Sequence, residues 1–393
     1  MRPDDVCPRP SDPPPTPTRP HAPAIYPTSV WACSDPAQAG AMLGGDLPGY
    51  VYQRDGHPNA DQLVSKCCEL HRAEHAVVTS SGMSALAAAV LAFLKWGDHV
   101  VVSEHLYGKS LVLLGRECER LGIQHTLVDT CDPAAVWSAM RPETRMVVVE
   151  TIANPRLQVA DVGTLAEIAH RHKARLLVDN TFATPILCQP LTLGADLVME
   201  SITKMMNGHS DVILGMLAGH DQDWSRVPAA VSAWGLASAP FECWLAQRGL
   251  ATLAVRMERA FDTALRAAEF LATRRDVERV DYPGLPSHPH HKLAQQQLGG
   301  RYGSIVTFHL PGGLAAANAF MSACPQIPFC PSLGEVSTTL SHPESTSHRA
   351  LTPERRAELG IHGGTIRLSV GIESADHVLD ALAEGLGGVA ARR

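Results

Sequence analysis

The sequence predicts an α/β protein: a mostly parallel sheet covered by helices on both faces, followed by a smaller α+β domain. Three observations predict it. From about residue 61 to 215, helix-like and strand-like stretches alternate. The strand-like stretches are short, nearly continuous runs of Val, Leu and Ile, as strands buried on both faces require. From about residue 245 the alternation gives way to one long helix and several shorter elements. A chain of 393 residues exceeds what one compact core usually holds, so two domains are expected.

In chain order, residues 1 to about 22 (MRPDDVCPRPSDPPPTPTRPHA) are proline-rich and poor in apolar side chains, which predicts an extended or disordered arm. From about 23 to 60, GGDLPGYVYQRDGHPN carries turns and little periodicity, as in segments that pack on a neighbouring subunit. ADQLVSKCCELHRAE reads as a helix, HAVVTS as a strand, SALAAAVLAFLKW as a helix and DHVVVSE as a strand. SLVLLGRECERLG is a predicted helix, IQHTLVD and RMVVVET are strands, VGTLAEIAHRHK is a helix, and ARLLVDN and ADLVMES are strands. One helix is expected over roughly 247–273, then SIVTFHL and TIRLSVG, and a closing helix, SADHVLDALAEGL. The expected division is an arm over 1–60, a large domain over 61–245 and a small domain over 246–393.

The net charge of −7, with no basic stripe, argues against a nucleic-acid partner. Ten cysteines in a chain of this length do not make a disulfide scaffold; reduced thiols and a cytoplasmic setting are expected. The N-terminus lacks the pattern of a signal peptide, and the longest apolar run, ALAAAVLAFL, is too short for a membrane span.

In open α/β sheets, ligands sit beyond the carboxyl ends of the strands. Three such ends carry polar residues here. After VVTS come Ser81, Gly82 and Met83 at a helix start, where free N–H groups and the helix dipole suit an anion; an ordinary serine cap is the plainer reading. After ARLLV comes Asp179, a carboxylate that needs a cation or a capping role. After ADLVME come Ser201, Thr203 and Lys204; a solvated loop lysine is the plainer reading of the last. Together they offer an anion cradle, a carboxylate and an amine, which is the set that pyridoxal 5'-phosphate requires.

The chain also resembles the pyridoxal-phosphate enzymes of cysteine and methionine metabolism, such as cystathionine γ-lyase, cystathionine γ-synthase and methionine γ-lyase. The motifs YVYQR, SSGMSAL, LYG, ETIANP, VDNTF, SITKMMNGHSD, YPGLPSHPHHKLA, SLG and TIRLSVG carry the resemblance, from about residue 24 to the C-terminus. It implies the fold-type I architecture. It implies that Lys204 is the Schiff-base lysine, Asp179 the partner of the pyridine nitrogen and Tyr107 the ring that stacks on the cofactor. It implies that Gly82, Met83, Ser201 and Thr203 cradle the phosphate, and that Tyr52 and Arg54 reach the phosphate of the adjacent subunit. Asn154 then lies beside cofactor and substrate, while Ser332 and Arg367 hold the substrate's α-carboxylate, which an arginine fork suits. A homotetramer built from active dimers is implied as well.

The sequence departs from the family at several points. HPN replaces NPT at 57–59, Lys109 follows LYG where methionine γ-lyases carry cysteine, Pro331 precedes Ser332, and two methionines follow Lys204. These departures leave the cofactor residues in place and the choice of substrate open. The resemblance implies a carbon–sulfur lyase acting on cystathionine or methionine, by α,γ-elimination to an α-keto acid and ammonia. Lys204 would move protons and Tyr107 would protonate the leaving group. The alternatives are γ-replacement by a cystathionine γ-synthase or O-acylhomoserine sulfhydrylase type, an aminotransferase, and a non-catalytic relative.

Other motifs fail on inspection. Gly108-Lys109-Ser110 lacks the first glycine of a P-loop, because position 103 is serine. No G-x-G-x-x-G or G-x-S-x-G is present. Cys67, Cys68 and His71 share a helical turn without a second ligand cluster, and HPHH at 288–291 sits inside the YPGLPSHP turn, so no metal is expected.

Overall fold

The computed structural model describes residues 18, 20–349 and 351–391. The proline-rich arm predicted over 1–22 lies mostly outside the described residues. Helix α1 (Pro36–Gly44) is followed by α2 (Pro58–His71), β1 (His75–Thr79), α3 (Gly82–Phe93) and β2 (His99–Ser103). Next come α4 (Gly108–Val112), a π-helical turn (Leu113–Glu117), α5 (Cys118–Arg120), β3 (Gln124–Val128), α6 (Pro133–Ala139) and β4 (Thr144–Glu150). Then follow α7 (Val162–Arg171), β5 (Arg175–Asp179), α8 (Thr184–Leu187), β6 (Leu197–Glu200), β7 (Gly215–Gly219), α9 (Arg226–Ala233) and α10 (Pro240–Leu250). The remainder is α11 (Leu253–Ala272), β8 (Arg279–Asp281), α12 (His291–Gln297), β9 (Ile305–His309), α13 (Gly313–Ala323), β10 (Thr339–Ser341), α14 (Pro353–Glu358), β11 (Thr365–Ser369) and α15 (Ala375–Ala390).

The first seven strands form one sheet in the order β1-β7-β6-β5-β4-β2-β3. Its pairings from β6 through to β3 are parallel, and β7 runs antiparallel to both its neighbours. Alternate side chains of each strand enter opposite cores. Val101, Val147, Val149, Leu176 and Val178 pack with Leu63, Leu165 and Ile168 on one face. Val100, Val102, Met146, Val148 and Leu177 pack with Leu86, Leu114 and Val227 on the other. Burial on both faces is why these strands read as unbroken apolar runs rather than as alternating patterns.

Strands β8 to β11 form a second, fully antiparallel sheet in the order β10-β11-β9-β8. Its core joins Val306, Phe308, Ile366 and Leu368 to Phe261, Phe320 and Leu382 of the helices. Ile152, Val159 and Met205 of the first unit enter the same core.

The structure differs from the sequence-based expectation at several elements. The single helix expected over 247–273 is two, α10 and α11. The Thr252 hydroxyl bonds the Gly249 carbonyl at 3.2 Å, and Arg256 Nη2 bonds the same carbonyl at 3.0 Å, so that carbonyl is capped from the side. The helix expected over 110–122 is interrupted by the π-helical turn. Strand β7 has no counterpart among the expected strands, because GMLAG offers no β-branched residue, and β8 and β10 have only three residues each. Helix α1 has none either: no residue in it is buried, so it leaves no apolar stripe in the sequence.

Candidate active site

Strands β4, β5 and β6 end side by side, with Glu150 paired in register to Asp179 and Met199 to Asp179 from the other side. Parallel register thus brings Glu150, Asp179 and Glu200 together at one edge. Asp179 Oδ1 accepts from the Thr181 N–H at 3.0 Å and from its hydroxyl at 2.6 Å. Among the described residues both bonds fall on this oxygen, leaving Oδ2 for another donor. Burial pushes the Asp179 carboxyl up, and the Thr181 bonds offset part of that shift. An adjacent protonated nitrogen would reverse it.

Ser81, Gly82 and Ser201, expected around an anion cradle, come together at the start of α3 and the turn after β6. Ser81 caps α3, its side chain accepting from the Ser84 N–H at 3.1 Å. The helix start and the turn after β6 approach closely: a Cβ on Gly82 would lie 2.9 Å from Ser201 Cβ, so only glycine fits. Thr203 is differently placed, its hydroxyl donating to the Leu214 carbonyl and accepting from the Leu214 N–H, both at 3.1 Å. It buttresses the turn against the neighbouring chain segment.

Lys204 follows in this turn. Its Nζ donates to Ser332 Oγ at 2.9 Å. Burial pulls the amine's pKa down, Arg367 pulls it further, and Glu335 opposes both. The turn is held from below by Arg256, whose guanidinium bonds the carbonyls of Met205 at 2.8 Å and Met206 at 3.0 Å. Gly208, at φ +76°, admits that guanidinium; a Cβ there would lie 2.2 Å from Arg256 Nη1.

Arg367, on β11, is buried. Its Nη1 donates to Asn154 Oδ1 at 2.8 Å and its Nη2 to the Ser332 carbonyl at 2.9 Å, while among the described residues Nε has no hydrogen-bond partner. Burial holds its pKa down at about 10. A buried guanidinium with a free N–H and no carboxylate beside it is prepared for an anion. Asn154 precedes a cis peptide to Pro155. Lys204, Ser332, Arg367 and Asn154 therefore form one hydrogen-bonded set drawn from both sheets.

Tyr107 stands exposed at the N-terminus of α4. Tyr52 is exposed too, with the Arg54 guanidinium 5.1 Å from its ring centre. Among the described residues neither side chain of that pair hydrogen-bonds another site residue.

Several residues of this region are not singled out by the sequence. Glu150, inside the quoted ETIANP, accepts the N–H of Tyr107 at 2.7 Å and that of Asn154 at 3.2 Å. His348 is buried with its Nδ1 2.8 Å from Ser347 Oγ, and burial beside Arg367 lowers its pKa to about 4. Glu200 is buried, its Oε1 accepting from Asn180 Nδ2 at 2.8 Å and lying 3.4 Å from His71 Nε2. That spacing suits an ion pair, yet burial raises the carboxyl and lowers His71 to about 3, so burial works against the charged form of each. A polar residue ending an apolar strand is the signal that marks Asp179, and it applies equally to these two glutamates. Among the described residues no group of three or more His, Cys, Asp or Glu side chains could hold a metal, and Cys67 and His71 are buried helix residues.

An amine of lowered pKa, a lone carboxylate oxygen, a glycine-gated cradle and an unsatisfied guanidinium fit pyridoxal phosphate and an amino acid. Comparison with known proteins agrees. Residues 10–387 match the family model described as Cys/Met metabolism PLP-dependent enzyme. The chain is 39% identical to L-methionine gamma-lyase of Porphyromonas gingivalis over 366 residues, 92% of this chain and 91% of that one. It is 40% identical to O-succinylhomoserine sulfhydrylase of Pseudomonas aeruginosa over 371 residues, 94% of this chain and 92% of that one. The crystal structure of cystathionine gamma synthase from Xanthomonas oryzae pv. oryzae, in complex with aminoacrylate and cysteine, superposes with a TM-score of 0.90 at 35% identity. The match covers 95% of this chain and 94% of that one.

Proposed function

The chain belongs to the Cys/Met metabolism PLP-dependent enzymes, and on that premise we propose that it is a carbon–sulfur lyase releasing an α-keto acid and ammonia from a sulfur amino acid such as cystathionine or methionine. The observation that carries this reading is the set joining Lys204, Ser332, Arg367 and Asn154. In it an amine of lowered pKa is linked through Ser332 to a buried guanidinium, which supports reading Arg367 as the partner of an α-carboxylate.

Lys204 would hold the cofactor through its aldehyde, Asp179 would pair with the ring nitrogen and Tyr107 would stack on the ring. Gly82, Met83 and Ser201 would hold the phosphate, while Thr203, expected beside them, braces the turn through its two bonds to Leu214. Bound there, pyridoxal phosphate supplies an electron-withdrawing ring in conjugation with the substrate's Cα. Arg367, Ser332 and Asn154 orient the substrate by its carboxylate. Lys204, whose basicity burial and the charge of Arg367 reduce, would take the Cα proton and carry protons toward Cβ. Tyr107 delivers a proton to the departing sulfur.

Tyr52 and Arg54 complete the site of a second copy. This is supported by their exposure and by the unburied helix α1. An apolar groove of about 750 Å³, lined by Met83, Val90, Val112, Leu121 and Trp234, offers the seat. A dimer is then the smallest active unit, and a tetramer follows from pairing dimers. Nine free cysteines among the described residues support a reducing, cytoplasmic setting. No described helix is long and apolar enough to cross a membrane.

Cystathionine, methionine and an O-acylhomoserine, supplied one at a time, test the proposal. Keto acid and ammonia from a sulfur amino acid, without an added nucleophile, support the lyase. Product formed only from O-acylhomoserine plus cysteine or sulfide overturns it in favour of γ-replacement. The likeness to the sulfhydrylase and to the γ-synthase structure favours that second reading.

A further inference from the structure

Glu150 closes β4 with a buried carboxylate whose two oxygens serve two different loops. Oε1 accepts the backbone N–H of Tyr107, 43 residues earlier in the chain, at 2.7 Å. Oε2 accepts the backbone N–H of Asn154 at 3.2 Å. Asn154 Oδ1 accepts from Arg367 Nη1 at 2.8 Å, Arg367 Nη2 donates to the Ser332 carbonyl at 2.9 Å, and Lys204 Nζ donates to Ser332 Oγ at 2.9 Å. One unbroken path of hydrogen bonds thus runs from the loop carrying Tyr107 to the amine of Lys204. Glu150 is the point where the loop over one side of the site is tied to the carboxylate-binding side.

A buried carboxylate beside Asp179 carries an electrostatic cost, since burial and the Asp179 charge both push its pKa up. Only a carboxylate can accept from two backbone N–H groups with its two oxygens. A glutamine there would offer one oxygen and set an NH2 group against the other N–H. The two N–H bonds offset part of that cost, each pulling the carboxyl's pKa back down.

We propose that Glu150 is a positioning residue which, through the Asn154 backbone, sets the Asn154 side chain and so the Arg367 fork that receives the substrate's α-carboxylate. The proposal rests on the site assignment above. It goes beyond it in giving the carboxylate-binding strength to a residue whose two oxygens accept from the Tyr107 and Asn154 backbone.

The test uses the purified holoenzyme and glycine, which has the α-carboxylate and amine but no leaving group. Glycine binding is read as a change in the bound cofactor's absorbance. Rebinding of pyridoxal phosphate to the stripped protein is read alongside. Glu150→Gln should weaken glycine about tenfold, the worth of one hydrogen bond to a charged group, while the cofactor still rebinds. In an Asn154→Ala background, where the path to Arg367 is cut, Glu150→Gln should weaken glycine by less than about twofold, the coupling that defines a shared path. Glycine binding within about twofold of the parent in the single variant overturns the proposal. So does a tenfold loss that persists undiminished in the Asn154→Ala background. If Glu150→Gln does not fold, Glu150→Asp replaces it, because the shorter carboxylate reaches only one of the two N–H groups, and the same two results decide. Failure of the parent protein to rebind pyridoxal phosphate would instead remove the site assignment, so the two failures are distinguishable.

Discussion

Glu200 closes β6 and Asp281 closes β8, and both carboxylates are buried. Around Glu200 the partners are neutral or of like charge: Asn180, a His71 of low basicity, and Asp179 nearby. Burial therefore wins, and the carboxyl is pushed well up. Around Asp281 stand His309 at 2.9 Å, Arg279 at 3.2 Å and Arg156 at 3.5 Å. Burial alone would raise that carboxyl too, but the His309 bond and the two guanidinium charges hold it below its usual range. Residues of one chemical type thus do opposite things in two sheets. At the edge of the first sheet, polar groups are left partly unsatisfied: among the described residues, Glu200 Oε2 and both His71 nitrogens have no hydrogen-bond partner. On the second sheet the charges neutralise one another. In the first arrangement burial outweighs pairing, and in the second pairing outweighs burial.

The sharpest way to separate the two regions is to remove one group from each. Lys204→Ala should lower turnover by roughly a thousandfold or more and abolish the yellow absorbance of the loaded enzyme. The stripped protein should unfold within about 1 kcal/mol of the parent. Retained turnover would dissolve the contrast. Asp281→Asn should do the reverse, costing about 2–3 kcal/mol in denaturant unfolding. The loss falls short of that for a wholly buried pair because Arg279 keeps contact with water. Glycine binding to the loaded Asp281→Asn enzyme should be unchanged.

A third experiment uses pH. The Glu200 pKa is raised in the folded chain, so its contribution to stability is full below the unfolded value of about 4.3 and is lost as pH rises through the folded value. Asp281 is depressed, so its contribution is present above about 3.9 and is lost as pH falls through the folded value. Melting of the stripped Glu200→Gln variant should therefore track the parent in acid and gain on it as pH rises from about 4.5 toward 8. A constant difference across that range would mean that Glu200 is paired after all. The smallest effect is expected at Arg54→Ala, which should weaken cofactor retention about fivefold while leaving melting of the stripped protein in place, as loss of one charge-assisted bond at a shared site would. Unchanged retention would confine the site to one chain.

Much of the site is legible in the sequence because its residues end strands. Asp179 and the Ser201–Lys204 turn interrupt apolar runs, so position makes them candidates, and the family resemblance gives them their expected roles. Glu150 and Glu200 end strands in the same way, but a single carboxylate there looks the same whether it binds a ligand, a backbone amide or a histidine. Arg256 is hidden within a helical pattern, where arginine usually faces water.

The sequence by itself determined the buried parallel strands, the order of the elements around them and the identity of the polar residues at their ends. These follow from local hydrophobic period and from the chemistry of single residues. Only the tertiary structure decided that one helix would break at Ala251–Thr252 and that α1 would form without a core to cover. It also decided that two buried carboxylates would titrate in opposite directions. Such outcomes depend on groups brought together from distant parts of the chain, as Arg256 is to Met205, and Arg156 and His309 are to Asp281. Electrostatic energy in a buried site is set by those neighbours rather than by the residue that carries the charge.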